Sequence, residues 1–316
     1  MPSGRAPAGV QPGGGSAKLP PPGRARRRWR RETLPALGFL TPFLVLLLIF
    51  QYLPLAVMAR YSLYDYSLFN PSQAKFVGAQ NFIQVFTDPA TLQSLLITFI
   101  FILGVVALVV PISFIVAVYL NGKLPARALV RTMIFLPVVT SSVVVATLWT
   151  FLLNQTGLIN SLLQAVHLPP AGFLTDKHQA LATIVVMTVW QQLGLASVLF
   201  LAGLQSVPRE LYEAAEVDGA GVLRRTVSIT IPLISRTTLF IVVVMTVFAL
   251  QAFAPAYIMT GGAPEGTTNL IIYQIYQTAF QLQQPGYASA MSIVVLLFAI
   301  VISLIQMRLL RTRWNY

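Results

Sequence analysis

Glu210, Glu213, Glu216 and Asp218 stand within nine residues of one another, in a chain of 316 residues that holds only nine acidic groups. The companions that would turn them into a reactive centre are missing. There is no cysteine, and the two histidines, His167 and His178, are too far apart and too poorly accompanied to suggest a metal site. An intramembrane enzyme would need an Asp pair, a His cluster or a serine beside a Lys or His. The hydroxyls of Thr140, Ser141 and Ser142 have no such base, so they read as helix-packing groups or as the lining of a pathway. A GxxxxGK[ST] phosphate loop is also absent. The chemistry left to the acidic run is recognition of basic or amide groups on another molecule.

The segment that carries the run punctuates itself. Pro208 suits a helix start, with Ser206 or Val207 as cap, and Glu210 and Glu213 favour the positive pole of the helix dipole. Gly219 fits a left-handed stop. A helix of about three turns is expected, then a turn at Gly219 and Gly221, then a second helical run toward Pro232. Leu211, Ala214 and Ala215 fall at i, i+3 and i+4 on one face, and paired alanines let another backbone come close. An amphipathic helix lying on lipid headgroups is the alternative. Acidic side chains are repelled by an anionic leaflet, which favours a protein partner.

The elements around this segment are greasy. The chain is 56% hydrophobic and 9% charged, far from the quarter charged that is typical of soluble domains, and is expected to be an all-α membrane protein. Six apolar stretches are long enough to cross a bilayer: Leu34 to Met58, Ser94 to Leu120, Leu129 to Leu153, Ala180 to Leu204, Ile234 to Ile258 and Ala288 to Met307. The first is too long for a signal peptide and lacks a small-residue cleavage pattern, so it reads as a retained span.

The net charge of +12 is distributed by side, which argues against nucleic acid as its target. Eight basic residues precede Glu32 in a Pro-, Gly- and Ala-rich tail, residues 1–33, expected to be a disordered basic tail in contact with anionic lipid. With that tail inside, only Arg60, Lys75 and Lys177 fall outside, as the positive-inside rule requires. Six spans with cytoplasmic N- and C-termini follow. Residues 34–316 form the transmembrane domain, and the acidic run lies in the longest cytoplasmic loop, 205–233.

All nine acidic residues fall in loops or the tail, and the spans are read as free of Lys and Arg. An ion-coupled carrier usually keeps an ionisable group near mid-membrane. Energy for uphill transport must then come from another chain, and a stand-alone carrier or channel is the competing class.

The stretch "EAAEVDGAGVLRRTVSITIP" resembles the EAA signature of the membrane permease subunits of ATP-binding cassette importers. The matching positions are Glu213, Ala214, Ala215, Gly219, Ile229 and Pro232, with Ile231 where leucine is usual. "FVGAQNF" (76–82), "RTMIFLPVVTSSVVVATLW" (131–149), "NQTGLINSLL" (154–163), "FLAGLQSVPRELYEAAEVDGA" (200–220) and "GYASAMS" (286–292) are similar to the carbohydrate branch, of the maltose and glycerol-3-phosphate type.

The resemblance implies the type I ABC importer permease fold in a bacterial inner (cytoplasmic) membrane. It implies three partners: a second permease, usually a different chain, an ABC ATPase dimer that carries ATP and Mg, and an extracytoplasmic solute-binding protein. No cofactor is expected in this chain, and its role is transport rather than enzymatic. Docking falls to Leu211, Glu213, Ala214, Ala215, Asp218 and Gly219. A sugar favours aromatic faces and amides, which makes Trp149, Trp190, Gln191, Gln192, Gln251 and Phe253 pathway candidates, with interfacial anchoring the other reading of the tryptophans. Glycerol 3-phosphate would require a cation in the pathway.

Overall fold

The computed structural model describes residues 38–67, 74–122 and 127–309. The basic tail 1–33, the start of the first expected span and the basic C-terminal residues Arg311 and Arg313 lie outside the described residues. Helix α1, Gly38–Tyr61, is mostly apolar, with Arg60 in its last turn, and has no buried residue. Its part up to Val57 is one unit and the chain from Met58 onward is a second.

The second unit is helix packed on helix. A two-residue antiparallel pair, β1 (Tyr64–Asp65) and β2 (Lys75–Phe76), leads into α2 (Gln80–Thr87). Asp88 then caps α3 (Pro89–Asn121), accepting from the Thr91 amide at 3.1 Å and from the Thr91 hydroxyl at 2.6 Å. Partial burial works to raise the Asp88 carboxyl. The bonds from Thr91, Ala90 and Tyr287 outweigh it and hold the group below the ordinary carboxylate range.

Helices α4 (Arg127–Val139), α5 (Ser142–Leu153) and α6 (Leu158–Ala165) follow, then α7 (Ala180–Gln205), the most buried helix of the bundle. It packs most extensively on α3 and next on α4. Gly194 permits the second contact: a Cβ there would strike the Ile134 carbonyl of α4. The remaining elements are α8 (Arg209–Val217), α9 (Val222–Leu233), α10 (Ser235–Leu250), α11 (Ile271–Tyr276, continued by a π-helical segment Gln277–Gln281) and α12 (Pro285–Leu309).

Among the described residues five helical segments are long and apolar enough to span a membrane. A sixth is obtained if α9 and α10, bent by 69° at Ile234, are taken as one. Two expected spans are not single helices. The third breaks at Thr140 and Ser141, where α7 meets the opened backbone: Gln191 donates to the Thr140 carbonyl. The fifth stops at Leu250 and resumes as a π-helical turn, Pro255–Thr260. The stretch between the last two spans, read from sequence as an outer loop, holds α11, whose Ile271, Tyr273, Gln274 and Thr278 are buried. Two cations also lie inside expected spans that the sequence reading left free of them, Arg131 in the third and Arg236 in the fifth, on α4 and α10.

Contacts divide the second unit into two ends. At one, Tyr287 at the start of α12 bonds Thr91 (2.8 Å) and Asp88 (3.2 Å) at the start of α3, and Lys177 pairs with Glu265 at 3.5 Å. At the other, Val118 and Asn121 at the end of α3 share a cleft with Leu204, Tyr212 and Arg225. Successive spans therefore alternate in direction.

Candidate functional site

Helix α8 is built from local signals. Pro208, with extended backbone, precedes its first turn, and no side chain caps it. Ser206, one of the expected caps, instead returns its hydroxyl to the Gly203 carbonyl at 2.7 Å and closes α7. The other end is a complete Schellman stop. Gly219 takes φ +73°, its amide donates to Glu216 O at 3.0 Å, and the Ala220 amide donates to Ala215 O at 2.9 Å. Any side chain at Gly219 would strain that turn.

The six expected docking residues sit together on or beside this helix, but not on one face. Leu211, Glu213, Ala214, Asp218 and Gly219 are exposed, whereas Ala215 is half-buried on the side that rests against the bundle. Tyr212 shares that side, its hydroxyl 2.9 Å from Thr230 Oγ1. The outward side continues in Val217, 89% exposed, and in Val222 and Leu223, none of which the sequence reading singled out. Among the described residues Glu210, Glu213 and Asp218 form no ion pair, while Glu216 pairs with Arg225. The acidic run thus divides into one carboxylate that holds the segment together and three that are presented outward.

The six pathway candidates separate into two groups. Trp149 on α5 and Trp190 on α7 have ring centroids 5.8 Å apart. Gln191 is 7% exposed, accepts from the Ser142 hydroxyl at 3.0 Å and donates to the Thr140 carbonyl at 3.4 Å. Its amide therefore closes the break between α4 and α5. Gln192 is half-buried and Gln251 exposed.

Phe253 belongs to a second cluster. Its ring lies 5.1 Å from Tyr257, 5.2 Å from Tyr276 and 6.2 Å from Tyr273, and Tyr276 lies 5.3 Å from Phe280. Sequence reasoning missed these four partners, although Tyr273, Tyr276 and Phe280 recur at i, i+3 and i+7 and so share a helix face. The π-helical turn that carries Tyr257 packs on α5 and α7, which brings the two groups onto touching elements. Nearby, a cleft of about 380 Å³ is lined by Thr150, Asn154, Gln155, Thr175 and Thr260 among others. No group of three or more His, Cys, Asp or Glu that could hold a metal occurs among the described residues.

Known proteins share this architecture. Residues 109–315 match the family described as the binding-protein-dependent transport system inner membrane component. The chain is 36% identical to the probable ABC transporter permease protein YurN of Bacillus subtilis, over 87% of this chain and 95% of that one. It is 34% identical to the sn-glycerol-3-phosphate transport system permease protein UgpA of Pectobacterium atrosepticum, over 92% and 99%. To the arabinooligosaccharides transport system permease protein AraP of B. subtilis it is 27% identical, over 86% and 87%. In fold it is similar to a chain of a bacterial ABC transporter involved in the import of the acidic polysaccharide alginate. That match has a TM-score of 0.79 at 24% identity and covers 92% of this chain and all of the other.

Proposed function

Because the chain belongs to the family of binding-protein-dependent transport system inner membrane components, we propose that it is one permease of a sugar-importing pair and that α8 is where its ATPase docks. The observation that carries this reading is the outward side of α8. Leu211, Ala214, Val217, Val222 and Leu223 are exposed apolar groups at an end of the bundle where the segment is otherwise charged. An apolar patch rimmed by Glu210, Glu213 and Asp218 is what a protein partner covers. ATP and Mg belong to that partner. The second permease, here taken as a different chain, supplies the other wall of the pathway, and a solute-binding protein delivers the cargo to the far end. In this scheme both termini and α8 are cytoplasmic, and the membrane is the bacterial inner membrane.

The rings of Phe253, Tyr257, Tyr273, Tyr276 and Phe280 offer the apolar faces that stack on a sugar. Trp149 and Trp190 and the amides and hydroxyls of the neighbouring cleft can complete the pathway wall. Sequence likeness to UgpA raises glycerol 3-phosphate as cargo. Arg127 and Arg131 stand in the first half of α4 and Arg236 is the second residue of α10, elements other than those that carry the rings of Tyr257, Tyr273, Tyr276 and Phe280, which favours a neutral oligosaccharide.

The test uses the assembled transporter in vesicles with labelled neutral oligosaccharides and sn-glycerol 3-phosphate. Gly219→Pro, which removes the Schellman amide, and Ala214→Trp, which fills the outward side, are expected to abolish ATPase retention and uptake while the chain stays in the membrane. Uptake by this chain alone, or normal ATPase binding by both variants, would overturn the docking role.

A further inference from the structure

The docking helix α8 and the limb α9 are joined through Asp218, Gly219, Ala220 and Gly221, the softest link in the segment. Gly219 is left-handed, and neither glycine has an atom within 4 Å of where a Cβ would stand. A push on α8 that reached the span through this turn alone would be spent on bending it. Two side-chain contacts bridge the turn. Tyr212 Oη meets Thr230 Oγ1 at 2.9 Å, and Glu216 pairs with Arg225.

The burial of the ion pair is lopsided. The Glu216 side chain is 62% exposed, but that of Arg225 is only 18% exposed, held in a cleft of about 160 Å³ with Val118, Leu204 and Tyr212. Their placement along α9 is specific. Arg225 is the residue directly before the π-helical segment Thr226–Thr230, and Thr230 is its last residue. Helix α8 therefore grips α9 at both ends of that segment, and the next break in the chain is the 69° bend at Ile234.

We propose that the Glu216–Arg225 pair and the Tyr212–Thr230 contact join α8 and α9 into one lever that pivots at Ile234. Glu216 and Arg225 are positioning residues: they pass ATPase motion to α10 without touching the ATPase. The proposal rests on α8 being the ATPase-docking helix.

The absence of cysteine from the chain permits a test that needs no knowledge of the cargo. Spin labels at Arg209→Cys on α8 and Phe248→Cys on α10, in the full complex, report the distance between them before and after trapping with ATP, Mg and vanadate. The doubly labelled but otherwise wild-type complex is expected to shift on trapping. Glu216→Gln and Arg225→Met are expected to keep their ATPase on purification yet lose that shift, and the charge swap Glu216→Arg with Arg225→Glu is expected to restore it. An unchanged shift in both single variants, a swap that restores nothing, or no shift in the otherwise wild-type complex would overturn the lever. If Gly219→Pro and Ala214→Trp both leave the ATPase bound, the docking role itself fails and the lever falls with it. That failure is read from ATPase retention and not from the distance.

Discussion

Gln191 shows how a residue's surroundings decide between two readings that its type allows. In sequence its amide suits a sugar hydroxyl, but in the fold both ends of the amide are engaged, one by Ser142 and the other by Thr140, across the break in the third span. Replacing it with leucine strands a backbone carbonyl and a hydroxyl in the bundle. Interhelical hydrogen bonds in membranes are worth about 0.6 kcal/mol on average and about 1.7 at most, so Gln191→Leu is expected to cost about 1 kcal/mol. This is read as a lower melting temperature of the purified complex with the KM for transport unchanged. A raised KM at unchanged stability would return Gln191 to the pathway. Glu213 and Glu216, three residues apart, divide in the same manner, since among the described residues only the second meets a cation. The sequence could not separate them, because Arg225 is brought to Glu216 by the turn at Gly219 and not by helical spacing.

At the level of elements, close approach governs the bundle's interior. Helix α7 lies against α4 with Gly194 under the Ile134 carbonyl, leaving no room for a side chain. Gly194→Val is expected to force the two helices apart at a cost of about 1–3 kcal/mol. Gly38→Ala, in open space on α1, is expected to be neutral or to gain up to about 1 kcal/mol. Thermal unfolding of the two variants side by side checks both.

The same contrast between local and distant causes explains what could be read in advance. Helix α8 and its stop were legible because Pro208 and Gly219 are local signals that act on the backbone where they stand. The break at Thr140 was not, since residues 129–153 are apolar almost throughout and the group that makes the break tolerable comes from α7. Helix α11 escaped because it is too short to cross a membrane, and its burial comes from packing against α3 and α12. The aromatic cluster around Phe253 was hidden for the same reason: its members lie on segments that only the fold brings together.

For the whole molecule, the two ends of the bundle and the two charge classes of loop come from independent sources and agree. Contacts place Asp88, Lys177, Glu265 and Tyr287 at one end and Asn121, Leu204, Tyr212 and Arg225 at the other, with no reference to charge. Among the described residues loop charge sorts the same segments, with Arg209, Arg224 and Arg225 on the second side and only Arg60, Lys75 and Lys177 on the first. Geometry fixes the alternation, and the positive-inside rule supports the orientation proposed above, with α8 on the cytoplasmic side. Single cysteines test the orientation cleanly in a chain that has none of its own. Lys177→Cys is expected to react with a membrane-impermeant maleimide in intact spheroplasts. Leu223→Cys, 78% exposed beside α8, is expected to react only after the membrane is opened. The reverse pattern would put α8 on the side of the binding protein, where no ATP is available, and would remove the basis for both the docking role and the lever.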